Sequence, residues 1–317
     1  LLPASWSGQD LARATSGAAA TLLGKIYLRN HDYANAKTYI DMVLNSGQYE
    51  LESDFKYVWS ENNKYGKEMI FALLHETGNN AAEIACHFGP SDHPEVPGRW
   101  QYYGVSLPFW RSYDKEDPRR EFFYYDYTGD AKRDDQSDYG FHYMVPEEGV
   151  TVVPNDTTKY MQNVATMKYT YDMISDAYYD GRTICIFRLS DVILCKAEIE
   201  NNLNGPAAAL PYLNQIRARA GAPEYGKHNR FPAPSTKETM NDAILKERGY
   251  ELVFEFQRRA DLIRFGKYEE VVNAHLKKLG IAQPTNVTSS LRYFPYPLND
   301  AQLNPNLAAE NHSRLPK

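Results

Sequence analysis

Three cysteines in 317 residues, Cys86, Cys185 and Cys195, are too few and too scattered for a disulfide framework or a zinc site. Cys185 and Cys195 lie in apolar runs, where a free thiol buries as a small hydrophobe. Positive charge is also in short supply. The 35 Lys and Arg are outnumbered by 41 Asp and Glu, for a net charge of −6, and no local basic stripe offsets this. Nucleic acid is thereby excluded as the main partner, because phosphate binding needs clustered cations. No stretch reaches the ~18 consecutive apolar residues of a membrane span. The chain opens Leu1-Leu2-Pro3-Ala4-Ser5-Trp6 with no Met, basic n-region or apolar h-region, so it reads as a processed or truncated product without an address. Nucleophile elbow, phosphate loop and zinc signature are all missing. The 8 His include His87 and His93 but no metal-spaced pair on a helix, and they read as ordinary surface or core residues. The residues call for no cofactor and no metal.

What is present is a soluble composition, 43% apolar and 24% charged, with an unusual load of tyrosine. There are 25 Tyr against 13 Phe and 4 Trp. Tyr combines a flat apolar face with a polar tip, which suits surfaces that are adhesive yet wet. By count, 14 aromatics fall within 99–143, about 31% of that stretch against 13% of the chain.

Apolar periodicity predicts two helices first, over Arg13–Asn30 and from Tyr33 to a stop at Ser46-Gly47. Leu23-Gly24-x-x-Tyr27 followed by Asp32-Tyr33-x-x-Ala36 and Ile40 fits a tetratricopeptide repeat. Gly24 and Ala36 would let the two helices approach closely. A second pair spans Ser190–Gly221, with Ser190 as its N-cap and Gly205-Pro206 as its turn. Ala36 and Ala209 occupy matching repeat positions but lie far apart, so the repeats are interrupted and not tandem. A third helix is predicted over Lys237–Gly266 and a fourth over Tyr268–Leu279, with the remainder, including Phe294-Pro295-Tyr296-Pro297, extended. The fold class is therefore mainly α: interrupted tetratricopeptide-like helical repeats with a loop-rich insertion containing short strands and helices. Its expected divisions are a helical block over 1–77, an aromatic-rich insertion over 78–181, and a helical block with an extended C-terminal segment over 182–317.

Four stretches in fixed order resemble the SusD/RagB-like family of outer-membrane nutrient-binding lipoproteins. They are Arg13-Ala14-Thr15 leading to Leu23-Gly24-Lys25-Ile26-Tyr27-Leu28; Glu68-Met69-Ile70-Phe71; Arg188-Leu189-Ser190-Asp191-Val192-Ile193-Leu194 with Leu213-Asn214-x-Ile216-Arg217-x-Arg219-Ala220-Gly221; and Glu247-Arg248-x-x-Glu251-Leu252-x-Phe254-Glu255 with Arg258-Arg259-x-Asp261-Leu262-Ile263-Arg264-Phe265-Gly266. Asp117-Pro118-Arg119 and Asn304-Pro305-Asn306-Leu307 add to the match. The resemblance runs from about residue 13 to residue 307 and implies the later portion of such a protein. It departs from the family in lacking the leader, the lipidation Cys and the early helices, and in ending Ala308-Ala309-Glu310-Asn311. The resemblance further implies an outward-facing position on the outer membrane, lipid-anchored in the full-length form, and capture of oligosaccharide for a SusC-like TonB-dependent transporter. A peptide-binding branch of the family is the alternative. A glycoside hydrolase is a weaker one, since its two carboxylates, ~5–9 Å apart, need no local motif.

The candidate ligand contacts are Arg99, Trp100, Gln101, Tyr102 and Tyr103, with Asp92 and His93 preceding them. Sugar rings present apolar C–H faces that stack on aromatics, while Arg, Gln, Asp and His bond hydroxyls. The competing reading packs these rings onto the helices. Phe109, Trp110 and Tyr113 are expected in the core, and Phe122-Phe123-Tyr124-Tyr125-x-Tyr127 in a strand with one face buried and its outward Tyr available for contact. Asp126, Asp130, Asp134, Asp135 and Asp138 do not follow EF-hand spacing and read as a solvated loop. Glu255, Arg258 and Arg259 are spaced for intrahelical ion pairs.

Overall fold

The computed structural model describes residues 2–77, 84–90, 93–95, 100–129, 140–149, 158–172, 180–279, 287–292 and 294–314. The chain forms two compact units, Leu1–Glu255 and Phe256–Lys317.

The first unit begins with helices α1 (Ser16–Arg29) and α2 (Tyr33–Leu44). Each is capped at its start: the Thr15 hydroxyl accepts from the Ala18 amide at 3.2 Å and the Asp32 carboxylate from the Asn35 amide at 3.1 Å. Ala18, Ala20 and Leu28 of α1 pack against Ala36, Ile40 and Val43 of α2. Gly24 sets their separation, because a Cβ there would stand 2.8 Å from Ile40 Cδ1. The first repeat is therefore as its spacing predicts.

Strand β1 (Met69–Leu73) then leads into the insertion. Its described elements are helix α3 (Ile84–Phe88), strand β2 (Val105–Ser106), helix α4 (Leu107–Trp110) and strands β3 (Phe123–Tyr124), β4 (Asp126–Thr128), β5 (His142–Met144), β6 (Thr158–Tyr160) and β7 (Asn163–Thr166). They make two small sheets, ordered β2-β7-β3 and β4-β5-β6, with only β5 and β6 parallel. The return strand β8 (Ile184–Arg188) pairs antiparallel with β1, from Met69 opposite Arg188 to Leu73 opposite Ile184. The insertion thus leaves and re-enters the helical layer through one two-stranded neck.

Helices α5 (Leu189–Asn204) and α6 (Pro206–Arg219) form the second repeat, joined at Gly205 with φ +91°. Val192, Cys195 and Ile199 of α5 share one core with α1 and α2, so repeats far apart in sequence are stacked neighbours. Ser190 is not the cap. α5 starts at Leu189 after extended Arg188, and the Ser190 hydroxyl is buried without a partner among the described residues.

Helix α7 (Lys237–Glu251) opens with a capping box between Thr236 and Thr239 and ends well short of the predicted Gly266. Phe254 and Phe256 adopt φ of +61° and +60°, a backbone that breaks an α-helix. Three tertiary bonds hold this turn. The Tyr169 hydroxyl donates to the Phe254 carbonyl at 2.9 Å, and Glu255 ion-pairs with Arg188 and Lys168, each at 2.6 Å. Glu255 consequently stands outside any helix, and the intrahelical spacing to Arg258 and Arg259 does not exist.

Behind the neck lies a buried ionic network. Arg188 reaches Glu68 at 2.7 Å, Glu251 at 2.7 Å and Glu255 at 2.6 Å. Arg119 reaches Asp117 at 2.8 Å, Glu247 at 2.6 Å and Glu251 at 3.0 Å. Arg217 pairs with Glu247 at 2.8 Å, and Arg219 with Glu68 at 2.7 Å and with Glu251. With Lys168, five cations face the five carboxylates of Asp117, Glu68, Glu247, Glu251 and Glu255. A balanced set of this kind avoids the heavy cost of an unpaired buried charge.

Phe122, Phe123 and Tyr124 are all buried, at 3%, 2% and 7% exposure, and do not alternate. Phe122 faces Phe55 and Tyr169, Phe123 faces Trp110 and Tyr113, and Tyr124 faces Ala165. The segment runs between three side-chain clusters, so neither face meets water. Trp110 and Tyr113 are in the core at 4% and 3% exposure, with Phe109 partly buried beside them. All three cysteines are buried, and none forms a disulfide.

The second unit holds helices α8 (Arg258–Arg264), α9 (Tyr268–Lys278), α10 (Leu298–Leu303) and α11 (Pro305–Arg314). Residues 294–297 are non-helical, but the expectation of an extended ending fails beyond them. A proline disfavours helix at the residue before it, yet suits the first turn of a new one. Pro297 accordingly caps α10 and Pro305 opens α11.

Candidate ligand-binding site

The site is assembled around α3. The Asp180 carboxylate, arriving from just before β8, accepts from the Ala85 amide at 3.0 Å and from the Arg182 amide at 3.0 Å. The start of α3 is thereby tied to the neck. Phe88 turns inward against Tyr169 and Phe254, with ring centroids 4.7 and 5.0 Å away. His87 is left on the other side of the helix.

Residues 100–103 lie along this helix end through three backbone bonds. The Trp100 amide donates to the Cys86 carbonyl at 2.6 Å, Gln101 to Gly89 at 3.1 Å and Tyr103 to His87 at 3.2 Å. Gln101 takes φ +49°, which turns the chain so that Trp100 and Tyr102 emerge together. Their ring centroids are 5.5 Å apart with planes inclined by 37°. The His87 ring sits beneath both, 5.0 Å from Trp100 and 5.4 Å from Tyr102, and Tyr103 follows at 6.2 Å.

Large aromatics ordinarily bury their rings, yet here Tyr102 is 66% exposed, Tyr103 53% and Trp100 38%. Polar groups border them. The Gln101 amide donates to Asn163 Oδ1 at 3.4 Å. Asn163 itself crowds Gly104, where a Cβ would lie 2.6 Å from that oxygen. The buried Nδ1 of His87 has no hydrogen-bond partner among the described residues. The arrangement offers stacking faces with side-chain amides of Gln101 and Asn163 at the edge, which is what a ring bearing hydroxyls needs.

Of the residues expected from sequence, Trp100, Gln101, Tyr102 and Tyr103 are brought together. His93 is half-buried elsewhere among rings, 4.8 Å from Tyr124 and 4.9 Å from Tyr127. Asp92 and Arg99 lie outside the described residues, as do Asp130, Asp134, Asp135 and Asp138. Asp126 is described and pairs with His142 at 2.6 Å. Among the described residues, no group of His, Cys, Asp and Glu is placed to hold a metal, and no helix is long and apolar enough to cross a membrane. Sequence reasoning missed His87 and Asn163 as members of the site. His87 joins through a fold-level contact to residues 13 or more positions away, for which no local pattern exists.

Comparison with known proteins adds a lineage to this geometry. The model of the SusD family matches residues 67–312. SusD-like protein P25 of Formosa agariphila is 26% identical, the match covering 94% of this chain and 58% of that protein. The starch-binding protein SusD of Bacteroides thetaiotaomicron is 28% identical over 137 residues, 43% of this chain and 22% of that one. Among solved structures, surface glycan-binding protein A of Bacteroides thetaiotaomicron in complex with laminarihexaose superimposes with a TM-score of 0.71 at 21% identity, over 96% of this chain and 66% of that one. The chain thus spans a little under three fifths of P25, at 58%.

Proposed function

The chain belongs to the SusD family, and from that premise we propose that it captures oligosaccharide at the cell surface by stacking sugar rings on Trp100, Tyr102 and Tyr103. The single observation that carries the proposal is the exposure of three clustered aromatics, 38%, 66% and 53%, on a backbone held to α3. A nonpolar surface left open in this way marks an interaction site. Fixing the rings beforehand lowers the ordering cost of binding. The related protein solved with laminarihexaose supports a glycan as the ligand. In the full-length protein, anchored by lipid on the outer face of the outer membrane, the captured sugar passes to a SusC-like TonB-dependent transporter.

The role is binding without turnover. Glycoside hydrolysis uses a carboxylic acid with a raised pKa. Among the described residues, Glu251 is not such an acid: burial pushes its carboxyl upward, but Arg219, Arg188 and Arg119 outweigh it and hold it well below the usual range. Membership of the SusD family supports the binder reading.

The test is titration of neutral oligosaccharides, laminarihexaose among them, followed by intrinsic Trp fluorescence and calorimetry. Trp100→Ala is expected to weaken binding at least ~10-fold, about 1.4 kcal/mol. Unchanged affinity in Trp100→Ala and in Tyr102→Ala would remove the platform from the site. Release of reducing ends during incubation would replace a binder with a hydrolase.

A further inference from the structure

The insertion contains a second concavity, a cavity of about 460 Å³ that shares no lining residue with the aromatic platform. Its size is within the ~300–1,000 Å³ of small-molecule sites. Half of its lining is charged, and the charge is sorted by depth. Arg111 and Arg120 are half-buried on its inner side, close to the buried Trp110 and Tyr113. Glu147, Glu148 and Lys115 are exposed at its rim, with Asp126, which is already paired with His142 at 2.6 Å.

Arg120 is the distinctive member. Its guanidinium lies 4.1 Å from the Trp110 ring centroid, and the Trp110 indole N–H donates to the Arg120 carbonyl at 3.2 Å. The flat face of the cation is thus spent on the indole, while its N–H edge makes no ion pair and no hydrogen bond with any described residue. The neighbouring Glu121 does not serve it as a partner, being the acceptor of the Tyr125 hydroxyl. Arg111 is committed differently, donating to the Pro146 carbonyl. A half-buried guanidinium stacked on Trp, with no acceptor among the described residues, suits a carboxylate or sulfate. At equal distance, an anion on this half-buried guanidinium, at an effective dielectric of ~20, is held about fourfold more strongly than any one exposed rim carboxylate repels it through water.

We propose that this cavity binds an anionic sugar unit, its carboxylate or sulfate on Arg120 and its hydroxyls toward Glu147 and Glu148. The ring then lies against Tyr125 and Met144, which complete the wall. Exposed carboxylates at the rim are good acceptors for sugar hydroxyls. The assignment rests on the reading of the chain as a glycan binder, and it adds selectivity for acidic polysaccharide that the platform alone does not provide.

The experiment is calorimetry on the whole chain with four probes: an oligogalacturonate, a neutral galactan oligosaccharide of equal length, a sulfated galactan oligosaccharide, and a glutamate-rich peptide. Acidic sugars are expected to bind at least ~10-fold more tightly than the neutral one. Arg120→Met is expected to abolish that difference, Arg120→Lys to restore part of it, and Trp100→Ala to leave it intact. Which of the two acidic sugars binds more tightly identifies the anion. Rising salt should shrink the difference in the unaltered chain, which keeps the test decisive if Arg120→Met fails to fold. The inference is overturned by acidic affinity unchanged in Arg120→Met, by an acidic preference insensitive to salt, or by tighter binding of the peptide than of either acidic sugar. Neutral binding lost in Trp100→Ala without any acidic preference defeats this inference alone. Acidic binding lost in Arg120→Met with no neutral binding defeats the platform reading alone.

Discussion

Glu251 tests the buried network most directly. The residue is 4% exposed and contacts Arg119 at 3.0 Å, Arg188 at 2.7 Å and Arg219. Glu251→Gln keeps the shape and one acceptor oxygen but leaves five buried cations facing four carboxylates. Removing one partner of a buried pair costs about 3–5 kcal/mol. With ~2.1 cal/mol/K of unfolding entropy per residue, the first unit, Leu1–Glu255, should lose roughly 6–9 °C in its midpoint. The charge also has a pH signature. The folded carboxyl titrates below the unfolded value of ~4.3, so its stabilisation is full above that pH and is lost as pH falls toward the folded value. Thermal melts at pH 7, 5, 4 and 3 should therefore show the parent falling below about pH 4, with a shallower fall in Glu251→Gln. Combining Glu251→Gln with Arg219→Gln should cost less than the sum of the two single changes, because the double variant restores charge balance. A loss under ~1 kcal/mol in the single variant, well short of what a broken buried pair costs, or a pH slope equal to the parent's, would refute the view that the network is held by mutual charge.

Two further outcomes follow from the same structure. Phe256 is 75% exposed at φ +60°, so Phe256→Gly relieves a left-handed backbone worth ~1–2 kcal/mol against ~0.5–1 kcal/mol of added unfolded-state freedom. Chemical denaturation should show equal or slightly higher stability; a loss above ~1 kcal/mol would mean that Phe256 packs on something its exposure conceals. Cys86, Cys185 and Cys195 are all buried, and burial pushes the Cys185 thiol far up. Ellman's reagent should therefore find no fast thiol in the native chain and three after unfolding, and one rapid native reaction would contradict the packing.

The repeats were legible because their signals are local. Gly24 to Ile40 is a contact between consecutive helices, and spacing alone predicts it. Gly205-Pro206 marks a turn by backbone chemistry that needs no tertiary partner. The misread positions are those where tertiary contacts decide. Ser190 has the right residue type for a cap, but pairing of β8 with β1 carries extended backbone through Arg188 and starts the helix two residues early. The helix predicted to Gly266 breaks because Lys168 and Arg188, distant in sequence, draw Glu255 into a turn. At the candidate site, the local aromatic surplus drew attention to Trp100, Tyr102 and Tyr103, which the fold brings together. His87 was invisible, since only the folded chain places an imidazole under those rings.

The charged letters of the family motifs have one structural meaning in common. Glu68 ends the first block, Arg119 and Lys168 belong to the insertion, Arg188 ends the neck, and Arg217, Arg219, Glu247, Glu251 and Glu255 belong to the second repeat and its successor helix or turn. Apart from Asp117, which pairs with Arg119 inside its own motif, these buried side chains find counter-charges in other segments of the chain. Their convergence also answers a mechanical problem set by the topology. An insertion joined through a single two-stranded neck would swing unless something fixed it to the helices, and a binding surface that swings loses the benefit of preorganised rings. Arg119 reaching Glu247 and Glu251, and Lys168 reaching Glu255, supply that second attachment. Apolar contacts alone hold mass without strict register, whereas paired buried charges are satisfied only in one arrangement. The buried charges thus hold the insertion, and the exposed aromatics it carries, against the helices.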